Sequence, residues 1–228
     1  MRYPNAEANA KQFKLMSEGN FNNLIKIDCS KFQIINANLG CFIHNPEIKP
    51  NIIAIGDSHA VHNTIGLVDY FDKSKQNFSI IYQAGCLPYF GIQVFRSEKE
   101  TCSTGMEQAL NFAMQSKEIN TVLLASRGSW YIHGRELNSK LDTFKISILN
   151  NDSIKDQSEI FYRGLHDTVA KLLQSGKKVI LIIDNPELDF NPKHCAKSRP
   201  FYITDNYNSE CTQPLKDLGG CPRIPTKI

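Results

Sequence analysis

The sequence predicts an α/β fold, a three-layer sandwich in which helices cover both faces of a central parallel sheet. Short, apolar, β-branched runs alternate along the chain with segments whose apolar residues recur at helical spacing. The runs are apolar at successive positions, as in strands that are buried on both faces of a sheet. A length of 228 residues with 41% hydrophobic residues is enough for one such domain and an extension.

Residues 1–50 are polar and rich in asparagine, and they end in the breaker-rich stretch NPEIKP at 45–50. We expect a lead-in segment there, followed by a domain over residues 51–228. No stretch approaches the roughly 18 consecutive apolar residues that cross a bilayer. The amino terminus has no apolar signal-peptide region.

The individual elements follow from residue 51 onward. The run NIIAIG predicts a strand at 51–56 that stops at glycine, and the spacing of Val61, Ile65 and Val68 predicts a helix over 59–71. FSIIY predicts a second strand, TVLLA a third and VILII a fourth, with turn residues after each. These strands lie at 78–82, 121–125 and 179–183, and two further helices are predicted at 105–117 and 157–174.

Charge and cysteine content restrict the partners and the compartment. The net charge is only +3 and no stretch concentrates like charges, so a nucleic-acid partner is not expected. Seven cysteines favour disulfides formed in an oxidising compartment, with buried free thiols as the alternative. Cysteine and histidine spacing does not support a metal site, and no cofactor is expected. The expected pairs are Cys29 with Cys41, Cys86 with Cys102, and Cys195 with Cys211, which leaves Cys221 over.

A nucleophile candidate stands at the first strand end. In parallel sheets ligands bind at the carboxyl ends of the strands. Ser58 follows Gly56 and Asp57 there, at the turn into the first helix, where backbone N–H groups can stabilise an oxyanion. The alternative is structural, because Asp57 or Ser58 can simply cap the helix.

Residues 56–60 (GDSHA) resemble the first block of the SGNH (GDSL-type) hydrolases. The form of the block is similar to the SGNH domain fused behind the membrane acyltransferase family 3 domain of bacterial glycan O-acetyltransferases. The resemblance extends over about residues 50–215. Its other segments are residues 84–88 (AGCLP), residues 121–131 (TVLLASRGSWY), and Pro186 with Cys195 and Cys211.

The resemblance implies acyl-ester chemistry. Ser58 would attack an acyl carbon, and the backbone N–H groups of Ser58 and Gly85 would form the oxyanion hole. Asp57, His59, Arg127 and Trp130 would then lie near the substrate. For Arg127 the alternative is a salt bridge that holds the turn. For Trp130 and the neighbouring Tyr131, which could stack on a sugar face, the alternative is packing.

The catalytic base is the main departure from the family pattern, which requires an Asp-x-x-His near the carboxyl terminus of the domain. This sequence contains no Asp-x-x-His. Five histidines that could replace the missing base are each expected to be solvated or packed side chains. We interpret the carboxyl terminus as truncated. The histidines considered as substitutes are His59, His62, His133, His166 and His194.

The resemblance therefore implies an extracytoplasmic glycan O-acyltransferase domain, periplasmic in location and part of a membrane-anchored protein. Its expected partners are a glycan or lipopolysaccharide substrate and an acyltransferase family 3 membrane domain. One alternative is a free-standing carbohydrate acetylesterase, in which water replaces the sugar. Another is an inactive glycan-binding remnant, since the base is missing. A flavodoxin-like nucleotide binder is disfavoured because the first turn lacks a glycine-rich phosphate cradle.

Overall fold

The computed structural model describes residues 24–184, except for 36–37, 64–65, 69, 72–75, 97–98, 101, 135–143 and 151–152. All of these residues belong to one compact unit, which spans residues 21–185. Cys195, Cys211, Cys221 and His194 lie outside the described residues, as does the segment that contains Pro186. No helix in the described part of the chain is long and apolar enough to cross a membrane.

Within this described part, nine strands, four α-helices and a 3₁₀ helix at Cys29–Phe32 have complete bounds, and residues 66–68 and 70–71 are also helical. The strands are β1 (Ile25–Lys26), β2 (Gly40–Ile43), β3 (Ile52–Gly56), β4 (Phe78–Tyr82), β5 (Ile92–Arg96), β6 (Lys99–Glu100), β7 (Thr121–Ala125), β8 (Phe144–Ile148) and β9 (Lys178–Ile182). The helices are α1 (Ser58–His62), α2 (Ser103–Gln115), α3 (Gly128–His133) and α4 (Gln157–Gln174).

As far as the described residues form it, the central sheet has six strands in the order β1-β2-β4-β3-β7-β9. The four strands predicted from the sequence, β3, β4, β7 and β9, pair in parallel with one another. The two strands at the other edge, β1 and β2, are antiparallel to their neighbours. The α/β prediction is confirmed, with the correction that the sheet is mixed and only mostly parallel.

Both faces of this sheet are covered by apolar side chains. Because successive residues of a strand point to opposite faces, Ile53 and Ile55 of β3 join one buried cluster, and Ile52 and Ala54 join another. The larger cluster includes residues of α2 and α4, and the smaller one includes Phe71, in the helical residues that follow α1. The consecutive apolar residues of the predicted strands therefore reflect burial on two sides.

Several elements were not predicted from the sequence. The strands β1 and β2 lie within the predicted lead-in segment, yet they extend the central sheet. The polar stretch after β7 contains α3, and β8 follows it to pair with β5 in a separate three-stranded antiparallel sheet of order β6-β5-β8. The lead-in boundary at residue 50 stays a prediction.

Two of the three predicted disulfides are present. Cys29 bonds to Cys41 and Cys86 bonds to Cys102, with sequence separations of 12 and 16 residues. The first bridge ties the 3₁₀ helix to β2, and the second ties the turn after β4 to the beginning of α2. The prediction for Cys195 and Cys211 falls outside the described residues.

Removing the first bridge tests its contribution to stability. We expect the double substitution Cys29→Ser and Cys41→Ser to lower the free energy of unfolding by about 3 kcal/mol, because the unfolded chain regains the entropy of an open loop. Urea denaturation under oxidising conditions measures the difference. Prior reduction of both proteins is the control, since it removes the bridge from wild type as well. Equal midpoints under oxidising conditions would contradict the prediction.

Candidate active site

The register of the parallel strands brings the predicted chemistry to one edge of the sheet. Gly56 of β3 pairs with Tyr82 of β4 on one side and with Ala125 of β7 on the other. Ala125 in turn pairs with Ile182 of β9. The four carboxyl ends are therefore level, and the residues that follow each strand share this edge.

Gly56 allows the turn between β3 and α1 to pass close to β7. A Cβ atom at this position would lie 1.8 Å from the backbone oxygen of Ala125 and 2.9 Å from the Cβ of Ala60. Any side chain would therefore separate the two strands or displace the helix. The glycine of the GDSHA block is required by this close approach, which lets α1 begin two residues after the strand ends.

Asp57 is buried at this turn, with 1% of its surface exposed. One carboxylate oxygen, Oδ1, accepts a hydrogen bond of 2.8 Å from the backbone N–H of His59 and so caps α1. The other, Oδ2, accepts bonds from the backbone N–H of Arg127 at 2.9 Å and from the hydroxyl of Tyr131 at 3.1 Å. Asp57 thus joins the β3–α1 turn to the β7–α3 turn and caps α1, whereas the role of Ser58 stays a prediction.

Burial controls the ionisation of this cluster. Desolvation raises the pKa of Asp57, although the hydrogen bonds from Arg127 and His59 act in the opposite direction. Burial likewise raises the pKa of Tyr131 well above its usual value, and the nearby charge of Asp57 adds to that effect. Tyr131 is therefore held as a neutral hydroxyl that donates to Asp57.

Tyr131 itself is fully buried and contacts the ring of Phe144 edge-on, with 5.7 Å between ring centroids. It does not face solvent, so the packing alternative, and not stacking on a sugar, is confirmed for this residue. Trp130 is only partly buried. The guanidinium carbon of Arg127 lies 4.4 Å from the centroid of the Trp130 ring, in a cation–π contact. The Trp130 ring also packs on Phe144.

Ser58 is the first residue of α1 and is partly exposed. Within the part of the chain that the structure describes, neither its hydroxyl nor its backbone N–H is engaged in a hydrogen bond. The turn after β4 lies alongside, because the backbone N–H of Gln83 donates to the carbonyl of Gly56 at 3.1 Å. Ser58 is thus accessible at the strand edge.

Gly85 lies in this neighbouring turn and has a φ of 73°, a left-handed conformation that favours glycine. The next residue, Cys86, is bonded to Cys102, whose sulfur contacts the Gly85 carbonyl oxygen at 3.4 Å. The bridge and the glycine conformation fix the course of this turn. The backbone N–H of Gly85 makes no hydrogen bond to another described residue.

His59 pairs with a residue that the sequence analysis missed. Its Nδ1 atom lies 2.7 Å from Oδ1 of Asp184, two residues beyond the end of β9. The hydrogen bond to Asp184 raises the pKa of His59, against the effect of partial burial and of the positive charge on Arg127. The signal that would have identified Asp184 is positional, since this acidic residue directly follows the strand predicted at 179–183.

The other candidate histidines are not brought to Ser58 by any described contact. The ring centroid of His62 lies 5.2 Å from that of His59, and His133 ends α3. His166 is exposed on α4 and contacts Asp167 at 3.1 Å. Among the described residues, no group of three or more His, Cys, Asp or Glu side chains could hold a metal ion.

The buried carboxylate can be tested by its removal. We expect Asp57→Ala to lower the free energy of unfolding by about 2–4 kcal/mol, because it removes the α1 cap and leaves the donors of Arg127 and Tyr131 without their acceptor. Asp156 caps α4 at an exposed position and supplies the matched control, Asp156→Ala, with a smaller expected loss. Equal losses in urea denaturation would contradict a special role for the buried aspartate.

The charge of Arg127 can be tested through the titration of His59. Because Arg127 opposes protonation of His59, we expect Arg127→Gln to raise the pKa of His59 further. An NMR titration of the imidazole resonances measures the change. Lys171 of α4, whose ammonium lies over the ring of Phe90, provides the control substitution Lys171→Gln, for which no change in the pKa of His59 is expected. An unchanged or lower pKa in the Arg127 variant would contradict the assigned effect.

Comparison with known proteins gives the family. A family model described as the SGNH domain fused to AT3 domains matches residues 28–218. No curated protein matches the chain. A solved structure, the periplasmic domain of a lipopolysaccharide acetyltransferase from Salmonella ser. Paratyphi A, is similar with 15% identity and a TM-score of 0.40. That match covers 77% of this chain but only 57% of the other, so the chain spans little more than half of that structure. Because the family model covers most of the sequence, the chain belongs to the family of SGNH domains fused to AT3 domains.

Proposed function

We propose that this domain transfers acyl groups to hydroxyls of an extracytoplasmic glycan through an ester on Ser58. An AT3 membrane domain, the partner that defines the family, would supply the acyl group. The observation that carries the proposal is the position of Ser58, partly exposed at the carboxyl edge of the sheet with its hydroxyl uncommitted within the described residues. The two disulfides support an oxidising compartment.

The reaction has two steps. In the first, the Ser58 oxygen bonds to the acyl carbon, the bond to the donor's leaving oxygen breaks, and the serine proton passes through a base to that oxygen. In the second, a sugar hydroxyl attacks the serine ester, Ser58 is released, and the proton of the sugar hydroxyl returns to Ser58. Water in place of the sugar would make the same site an esterase.

Two backbone donors support oxyanion stabilisation. The N–H of Ser58 and the N–H of Gly85 lie on adjacent turns, and neither is used by another described residue. An uncommitted donor near a nucleophile can stabilise the charge that develops on the acyl oxygen. The positive φ of Gly85 and the bond between Cys86 and Cys102 fix the course of this turn.

The substrate would lie over the neighbouring strand end. Arg127 brings a positive charge to this edge, and Trp130 offers an aromatic surface that is partly exposed. Sugars bind to such surfaces through hydrogen bonds and ring contacts. Asp57 was also expected near the substrate, but its carboxylate is buried and already bonded to three donors. Its proposed role is to hold the turn that carries Ser58.

The base that activates Ser58 is not assigned among the described residues. No Asp-x-x-His occurs in the sequence. A serine without its base loses on the order of 10⁶ in turnover, because the nucleophile and the base act as a unit. The sharpest test is therefore a covalent one, which detects slow reaction of Ser58 that a turnover assay would miss.

We expect a fluorophosphonate probe to label the wild-type protein at Ser58, and p-nitrophenyl acetate to add one acetyl group there, both detected by intact mass. Ser58→Ala should abolish both additions, since it removes the attacking oxygen. Ser158, which lies in the first turn of α4 beside its own aspartate cap, supplies the matched control Ser158→Ala with unchanged labelling.

The acetylated protein then separates the competing functions. Loss of the acetyl group to an added glycan supports transfer, and equal loss to water supports an esterase. A folded, disulfide-bonded protein that binds glycan but is never labelled would overturn the proposed chemistry and favour a glycan-binding domain.

A further inference from the structure

We infer that His59 and Asp184 form a positioning pair that holds Ser58 in place by tying α1 to the end of β9. The consequence for catalysis rests on the proposed function of Ser58. The structural part does not, because it concerns only how α1 is held. The carrying observation is the 2.7 Å contact between Nδ1 of His59 and Oδ1 of Asp184.

The contact joins parts of the site that the sheet keeps apart. Strand β9 is separated from β3 by β7, so Asp184 reaches the β3–α1 turn across the carboxyl end of β7. Both side chains are largely shielded from solvent, with 26% of His59 and 16% of Asp184 exposed. A shielded charge-assisted bond is stronger than an exposed one of the same length.

Helix α1 needs such a contact because it is very short. Five residues are far fewer than the ~12 that an isolated helix requires for even marginal stability in water. Its conformation must therefore come from contacts with the rest of the domain. Asp57 fixes the amino-terminal end through the N–H of His59, and Asp184 fixes the side chain of the same residue. Ser58 lies between Asp57 and His59 in the chain and is therefore held by both contacts.

The charges around His59 strengthen the pair. Asp184 after β9 and Asp57 before α1 both favour the protonated imidazole, whereas Arg127 after β7 opposes it. His62 of α1 lies against the ring as well. Because the pKa of His59 is raised in the folded protein, His59 contributes extra stability at pH values below its pKa in the unfolded chain, which is about 6.5. That contribution is lost as the pH rises through the folded pKa.

His59 is a positioning residue and not the base for Ser58. Side chains of adjacent residues on a helix do not face each other. Consistent with this, no hydrogen bond joins the His59 ring to the Ser58 hydroxyl in the described structure. The ring acts on Ser58 through the backbone of α1, whose orientation it fixes.

Hydrogen exchange of the α1 amides tests the pair without relying on activity. We expect His59→Ala and Asp184→Ala to speed exchange of the peptide that contains residues 58–62 by about tenfold, because local opening becomes easier. His59→Asn should stay close to wild type, since its amide nitrogen occupies the place of Nδ1. The control is His166→Ala, which breaks an exposed contact between histidine and aspartate elsewhere.

The same variants have a second readout in the rate of Ser58 labelling. We expect the labelling rate to fall about tenfold in both alanine variants and to be restored in His59→Asn. We also expect wild type to melt at a higher temperature than Asp184→Ala, by a margin that is larger at pH 5.5 than at pH 8.5. If Asp184→Ala does not fold, Asp184→Asn replaces it, and the wild-type advantage is again expected to be larger at pH 5.5, because the neutral amide no longer favours the protonated imidazole.

The outcomes separate the two proposals. Exchange at 58–62 that matches the His166→Ala control in every variant overturns the positioning pair. Faster exchange in the alanine variants, with a wild-type Ser58 that never reacts, supports the pair and overturns the proposed chemistry. A labelling rate that falls equally in His59→Asn and His59→Ala, with exchange unchanged, overturns positioning in favour of direct participation by the imidazole.

Discussion

The buried carboxylate of Asp57 is the interaction on which the rest of the site depends. Transferring a carboxylate from water to the protein interior is unfavourable unless donors replace the lost solvent. Here the donors come from three places, namely the beginning of α1, the turn after β7 and the side chain of Tyr131. Because one group satisfies all three, the β3–α1 turn and the β7–α3 turn are held in one arrangement, with Ser58 and Arg127 on the same edge.

The sheet makes this arrangement possible through its register. Parallel pairing brings the carboxyl ends of β4, β3, β7 and β9 level, so short turns after each strand meet. Gly56 permits the closest of these approaches, and the bridge between Cys86 and Cys102 steadies the turn beside it. The apolar clusters on the two faces keep the strands together, and the polar residues lie at the carboxyl edge between them.

Much of this could be predicted from residues that are neighbours in sequence. The four parallel strands, the helix at 157–174 and the pairs of Cys29 with Cys41 and of Cys86 with Cys102 follow from local patterns, and the structure confirms them. The strands β1 and β2 were missed because they are only two and four residues long and lie in a stretch that is otherwise polar. Pairing of β2 with β4, and of β1 with β2, places them in the sheet. Tyr131 gave no local sign that it would be buried against Asp57.

The sequence alone determined the four parallel strands, the helix at 157–174, the two described disulfide pairs and the GDSHA turn, because these depend on local spacing and residue type. Tertiary structure alone decided that Asp57 would be buried, that Tyr131 would donate to it, and that Asp184 would reach His59 from 125 positions away. Such contacts arise from strand order and register, which bring distant residues together. Neither spacing nor composition encodes that proximity in any local pattern.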